Sequence, residues 1–124
     1  MVAKVLSGDT NVCTTPNWQA DGLLICNCLH NFAADTICNI LSSARQVLAA
    51  GGVLVIVETD LEEDRPFPVE SAIFGAYMAV NCVNGWLPPR SWLRHEIEAV
   101  GFTVREEHLR GTDVALIGTI GAVA

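Results

Sequence analysis

The stretch "GLLICNCLHNFAADTICNILSSARQVLAAGGVLVIVE", residues 22–58, decides how this chain folds. Its opening, within "DGLLICNCL", is apolar at nearly every position and has the length of a strand. A parallel strand buried on both faces reads this way. Asp35 suits the N-cap of a following helix. Beyond it Ile37, Ile40, Leu41, Ala44, Val47 and Leu48 recur at the spacing of one helical face. Gly51-Gly52 is expected to stop that helix. "VLVIV", rich in β-branched residues, then forms a second strand that ends at Glu58. Strand, helix and strand in this order make a right-handed parallel unit.

The rest of the chain extends this unit on both sides. Upstream, "VAKVLS" reads as a short strand ending at Gly8-Asp9, and "NVCTTPNWQA" as a polar connector with Pro16. Downstream, a helix is expected from Val69 to about Val83, with Ile73, Phe74, Tyr77 and Val80 on one side. Pro89 suits a helix start, and "RSWLRHEIEAV" runs as a short amphipathic helix to Gly101. "FTVREEHL" and "DVALIGTI" flank "RGT" as a closing hairpin. The expected order is β, β, α, β, α, α, β, β in one domain spanning residues 1–124. This is an α/β fold with a mostly parallel sheet, a C-terminal antiparallel hairpin and helices on both faces.

Composition narrows the function. Hydrophobic residues make up 51% of the 124 and charged residues 17%, which excludes a disordered chain. Seven Lys and Arg stand against 14 Asp and Glu, a net charge of −7. No basic stripe is present, so nucleic acid is not an expected partner. The acid gathers in "ETDLEEDR", residues 58–65, which reads as a solvated loop. No apolar run reaches the roughly 18 residues of a membrane span. "MVAKVLSGDT" lacks a signal-peptide layout, so a cytoplasmic, membrane-free protein is expected. Five cysteines, Cys13, Cys26, Cys28, Cys38 and Cys82, are an odd and irregular set, unlike a disulfide framework. On a strand, Cys26, Cys28 and His30 would share a face, and Cys38 would be a fourth zinc ligand. The paired CxxC spacing of structural zinc sites is absent, so no metal is expected.

Ligands of open α/β sheets gather beyond the carboxyl ends of the strands. Asp9, His30 and Glu58 end the first three expected strands. A strand-end Asp is often a turn residue, and a lone His is more often structural than catalytic. Together the three mark the edge where a site is built. An imidazole can take up a proton near neutral pH, and a neighbouring Glu can orient the ring and stabilise the imidazolium that forms.

The order "GD…ADGLLICNCLHNFAADTICNILSSARQVLAAGGVLVIVE" resembles the small-molecule O-methyltransferases that depend on S-adenosylmethionine, of the class I type found in plant and bacterial secondary metabolism. The family pattern is Gly-Asp, an apolar strand, "LHDW", a helix, "GG" and a strand ending in "VE". "VGFTV" further on matches its "AGF" segment. The resemblance covers nearly the whole chain from Val2. It implies that His30 is the general base that takes the proton of a substrate hydroxyl. It implies that Glu58 orients His30, and that Gly8, Asp9 and Cys26 lie at the cofactor, Asp9 accepting from the adenine amino group.

The chain also departs from that pattern. "HDW" is "HNF" here, Cys26 stands where a lysine is common, and Leu87 falls where plant members carry a second glutamate. The family's glycine-rich cofactor loop and its N-terminal dimerisation domain lie upstream of Gly8-Asp9 and have no counterpart in these residues. The chain is therefore expected to correspond to the C-terminal part of a methyltransferase catalytic domain. Three possibilities follow: the catalytic half of an O-methyltransferase, a non-catalytic dimerising or partner-binding module derived from one, or one half of a split enzyme. "GLLICN" would then form a sheet edge, to be covered by "VAKVLS" or by a second copy in a homodimer or strand-exchanged oligomer. Trp18, Trp86 and Trp92 are expected to pack in the core. Phe74, Tyr77 and Met78 are open to a substrate role, and core packing explains them as well.

Overall fold

In the computed structural model the described residues are 19–62, 68–81 and 85–121. "VAKVLS", Gly8, Asp9 and Trp18 lie outside them. Eight elements follow one another: β1 (Ala20–Cys26), a 3₁₀ turn (Leu29–Asn31), α1 (Ala34–Val47), β2 (Leu48–Thr59), α2 (Val69–Asn81), α3 (Arg90–Ala99), β3 (Phe102–His108) and β4 (Asp113–Ile120). The strands form one mixed sheet in the order β1-β2-β4-β3. β1 runs parallel to β2, while β4 is antiparallel to both β2 and β3. This is the expected α/β architecture.

The periodicity of α1 sets its packing. Ile37, Ile40, Leu41, Ala44 and Val47 are buried, a stripe of one helical face. They join Leu23 and Ile25 of β1, Leu54 and Ile56 of β2, Leu93 and Ile97 of α3, and Leu116 of β4 in one core. α1 and α3 therefore share one face of the sheet. Arg94 Nη2 ties α3 to β3 by donating to the Val104 carbonyl at 2.9 Å. On the other sheet face Val53, Val55, Val57 and Ile117 are half-buried, and Leu24 is 52% exposed.

Two local expectations are corrected. Asp35 is not the N-cap of α1: Ala33 is, in extended conformation and without a side-chain cap. Asp35 sits in the first turn, where its charge favours the helix N-terminus and its Oδ1 accepts from Thr36 N at 2.9 Å. Nor do Gly51-Gly52 stop the helix. α1 ends at Val47 and the chain passes directly into β2 at Leu48. The glycines build a bulge inside β2. Ala20 pairs with Leu48, but Gly22 already pairs with Val53. Gly51 takes φ +78°, and a Cβ on Gly52 would lie 2.8 Å from the Ala49 carbonyl oxygen. Only glycine satisfies both.

The hairpin closes through Leu109 N donating to the Asp113 carbonyl at 2.9 Å, with Gly111 at φ +69° in the turn. Because β4 is antiparallel to β2, this turn comes to the carboxyl end of β2, where the site lies. Among the described residues, no helix is long and apolar enough to cross a membrane.

Candidate functional site

β1 stops at Cys26 because Asn27 turns left-handed, at φ +49°, while its N–H still reaches the Val57 carbonyl at 2.8 Å. Asn is among the residues that tolerate this conformation. The chain drops into the 3₁₀ turn with Leu29 fully buried as its anchor. Asn31 closes the turn: its N–H and its Nδ2 both donate to the Cys28 carbonyl, at 3.2 and 3.1 Å. Phe32 packs against the core. Thus "HNF" supplies one buried polar group, His30, and two residues that hold its turn.

Strand parity brings Glu58 to the same place. Leu54, Ile56 and Glu58 alternate onto the buried face of β2, and Glu58 is 2% exposed. A carboxylate so placed needs donors on both oxygens. Oε2 accepts from Leu29 N at 2.9 Å and His30 N at 3.3 Å, and Oε1 pairs with His30 Nδ1 at 2.8 Å. One side chain fixes both the backbone of the turn and the ring. An ionised carboxylate only accepts, so in the neutral ring the proton belongs on Nδ1, which leaves the Nε2 lone pair free. Among the described residues Nε2 has no partner. The His30 carbonyl accepts from Trp86 N at 3.1 Å, and Phe74 meets the imidazole edge-on, with ring centroids 5.1 Å apart at 84°. His30 is thus held at its N–H, its C=O, Nδ1 and its ring.

Phe74 was among the residues open to a substrate role, and it lies at the site. Met78 is 4% exposed and belongs to the buried face of α2, while Tyr77, Ile73 and Val80 point outward. Phe74 does not share their side, contrary to the periodicity reading. Leu87 is buried beside Gly75 of α2, so an apolar contact occupies that position. Trp86 and Trp92 pack edge-to-face, centroids 5.0 Å apart, against the core. The hydrogen bond from Trp86 N to His30 was not legible in the sequence, since it joins segments far apart along the chain.

Of the expected cofactor residues, Gly8 and Asp9 lie outside the described residues. Cys26 is exposed at the end of β1, its Sγ 3.6 Å from Asn27 Nδ2. Cys26, Cys28 and His30 do not share a strand face, because the strand ends at Cys26. Cys38 donates to Glu96 Oε2 at 3.3 Å, and burial followed by that hydrogen bond pushes its thiol up. Among the described residues no group of three or more His, Cys, Asp and Glu is placed to hold a metal.

A second cluster lies just beyond Glu58. The expected solvated loop "ETDLEEDR" begins later than supposed: Asp60 continues the buried parity of β2 and is 7% exposed. Arg90 Nη1 donates to its Oδ2 at 3.0 Å, and His108 Nδ1 approaches the same oxygen at 4.0 Å. Oδ1 is buried without a partner among the described residues. Burial pushes the Asp60 carboxyl above the ordinary carboxylate range, against the smaller opposing pull of Arg90 and then His108. A raised folded-state value means that folding favours the protonated form. Its contribution to stability is full below the ordinary value and is lost as pH rises through the folded value. Urea melts at steps from pH 4 to pH 7 should show the wild type losing stability relative to Asp60→Asn as pH rises. A constant or widening wild-type advantage would mean that Arg90 outweighs burial.

No sequence among curated proteins matches the chain. Solved structures do. An O-methyltransferase family protein from Burkholderia thailandensis is 28% identical, with a TM-score of 0.84 over 94% of this chain and 36% of its own. Human N-acetylserotonin methyltransferase, solved with S-adenosylmethionine, is 20% identical, with a TM-score of 0.81 over 90% of this chain and 32% of its own. An O-methyltransferase family 2 protein from Planctomyces limnophilus, solved with apigenin, is 19% identical, with a TM-score of 0.80 over 87% and 33%. The chain therefore spans about a third of the length of these relatives. The O-methyltransferase domain family matches residues 3–103, and the chain belongs to that family.

Proposed function

We propose that this chain carries the catalytic base of an S-adenosylmethionine-dependent O-methyltransferase acting on a small-molecule hydroxyl. The observation that carries this reading is the buried His30–Glu58 pair, with Nδ1 held at 2.8 Å and Nε2 left to accept. A substrate hydroxyl placed on Nε2 gives up its proton as its oxygen becomes the nucleophile. Glu58 keeps the ring in the accepting tautomer and balances the imidazolium that forms. Phe74 limits where the ring can turn, and Trp86 N fixes the backbone that bears it.

The bound cofactor would supply an electrophilic methyl. The described residues fit it in part. Cys26 is exposed at the carboxyl end of β1, so no cationic side chain stands at that position against a sulfonium. Gly8 and Asp9 would complete the adenosine side, and the remaining contacts would come from sequence beyond these 124 residues. That supply defines the second reading, a split enzyme or a non-catalytic module. β1 stands at the edge of the described sheet with Leu24 half-exposed, an edge that "VAKVLS" of the same chain would cover on the first reading. A second copy or a partner strand would cover this edge in a cytoplasmic homodimer or strand-exchanged oligomer.

Calorimetric titration with S-adenosylmethionine, repeated with S-adenosylhomocysteine, tests the proposal. Micromolar binding supports a working cofactor site. No binding up to millimolar ligand, by a chain folded by circular dichroism, overturns activity of this chain alone and leaves the partner-dependent reading.

A further inference from the structure

α2 is apolar on both of its sides. Met78 is buried, and Phe74, on that same side, meets the His30 ring edge-on. A helix whose far side faces only water carries polar residues there, as α1 does with Asp35, Asn39, Ser42 and Gln46. The far side of α2 carries Val69, Ile73 and Val80 instead, 58, 66 and 82% exposed, with Ala76 and Tyr77 exposed between them. Glu70 is the single charged residue of the helix. A helix apolar all round is one that is covered all round.

The spacing indicates what covers it. Val69, Ile73, Ala76 and Val80 follow one another at steps of four, three and four, the repeat of a seam between two helices. We propose that a second copy of this chain docks here, α2 against α2 and antiparallel, in a weak homodimer. Side-chain size favours that direction. Run antiparallel about a two-fold axis, the seam sets Val69 of one copy against Val80 of the other, and Ile73 against the small Ala76. A parallel seam would crowd Ile73 on Ile73 and leave a gap where Ala76 meets Ala76. Charge agrees. With a net charge of −7, two copies repel over most of their surface, whereas this face holds one carboxylate, and antiparallel pairing keeps the two Glu70 at opposite ends. A helix of 13 residues is about 20 Å long, so one such face falls short of the roughly 800 Å² per partner of a standard interface. A Kd on the order of 10–100 μM is therefore expected. The second copy backs the helix whose other side places Phe74 on the His30 ring. This interface is distinct from the β1 edge and does not depend on the methyltransfer reading.

The test is sedimentation velocity of the whole chain from about 5 to 500 μM, a range that brackets the expected Kd. The mean sedimentation coefficient should climb from monomer towards dimer across it. Ile73→Glu, at a side chain 66% exposed and so without loss of the fold by circular dichroism, should weaken association at least tenfold, because it buries a charge from each copy in the seam. Leu24→Lys, on the β1 edge, should leave association unchanged. Two double variants read the direction. Val69→Lys with Val80→Glu in one chain sets Lys against Glu at both ends of an antiparallel seam and should still dimerise. Val69→Glu with Val80→Glu sets acid against acid and should not. A chain that stays monomeric to 500 μM overturns the proposal, and so does a dimer indifferent to Ile73→Glu. A dimer lost through Leu24→Lys instead would place the contact at the β1 edge, and loss of dimer in the Lys–Glu variant would overturn the antiparallel pairing.

Discussion

Replacing Glu58 with alanine should lower the unfolding free energy by about 3 kcal/mol, the cost of stranding buried hydrogen-bond donors less what entering water returns. The reason lies in what is left behind. Leu29 N, His30 N and His30 Nδ1 all lose their acceptor at once, in a place where Glu58 was 2% exposed. Each buried donor without a partner costs about 1–3 kcal/mol, and water entering the vacated space offsets part of the sum. Urea denaturation with an unchanged m-value measures this. Glu58→Gln separates structure from chemistry. Its amide oxygen can still accept from the two backbone N–H groups, so less stability is lost. Its NH₂ then faces Nδ1 and forces the ring proton to Nε2, which removes the base. A Glu58→Ala protein as stable as the wild type would show that the turn holds itself without the carboxylate.

On the proposed function, replacing His30 with alanine should lower methyl transfer to a small-molecule hydroxyl by about 10²–10⁴-fold in kcat, the usual contribution of a positioned base. Cofactor affinity should stay within about twofold, because binding leans on residues other than the ring. The backbone of residue 30 keeps its hydrogen bonds to Glu58 and Trp86, so the turn persists. An unchanged kcat, in a preparation that binds the cofactor, would remove His30 from the chemistry and leave it a structural residue.

Much of this site was legible because strand parity and strand ends are local properties. The apolar run before His30 and the β-branched run before Glu58 place both residues at carboxyl ends of adjacent parallel strands, where side chains can meet. The distance between them was not legible. It depends on Asn27 turning left-handed and on a 3₁₀ turn that carries His30 back over β2. Gly51-Gly52 misled because a Gly-Gly pair marks a helix end or a strand bulge equally well. Only the pairing of Ala20 with Leu48 separates the two. Asp60 was missed although its signal was present. Leu54, Ile56, Glu58 and Asp60 alternate, so parity alone puts Asp60 inside, while local composition reads it as loop. Its partners come from distant segments: Arg90 is tied there by its N–H to the Leu61 carbonyl, and His108 by the antiparallel return of β4.

The tautomer of His30 tests the central claim most directly, and it needs neither cofactor nor substrate. Long-range ¹⁵N–¹H correlation at alkaline pH, where a histidine ring is ordinarily neutral, assigns the proton to one nitrogen. The Glu58 carboxylate 2.8 Å from Nδ1 predicts a protonated Nδ1 and an unprotonated Nε2 in the wild type, reversed in Glu58→Gln. A wild-type ring protonated at Nε2 would contradict the account, because the nitrogen meant to accept the substrate proton would already hold one.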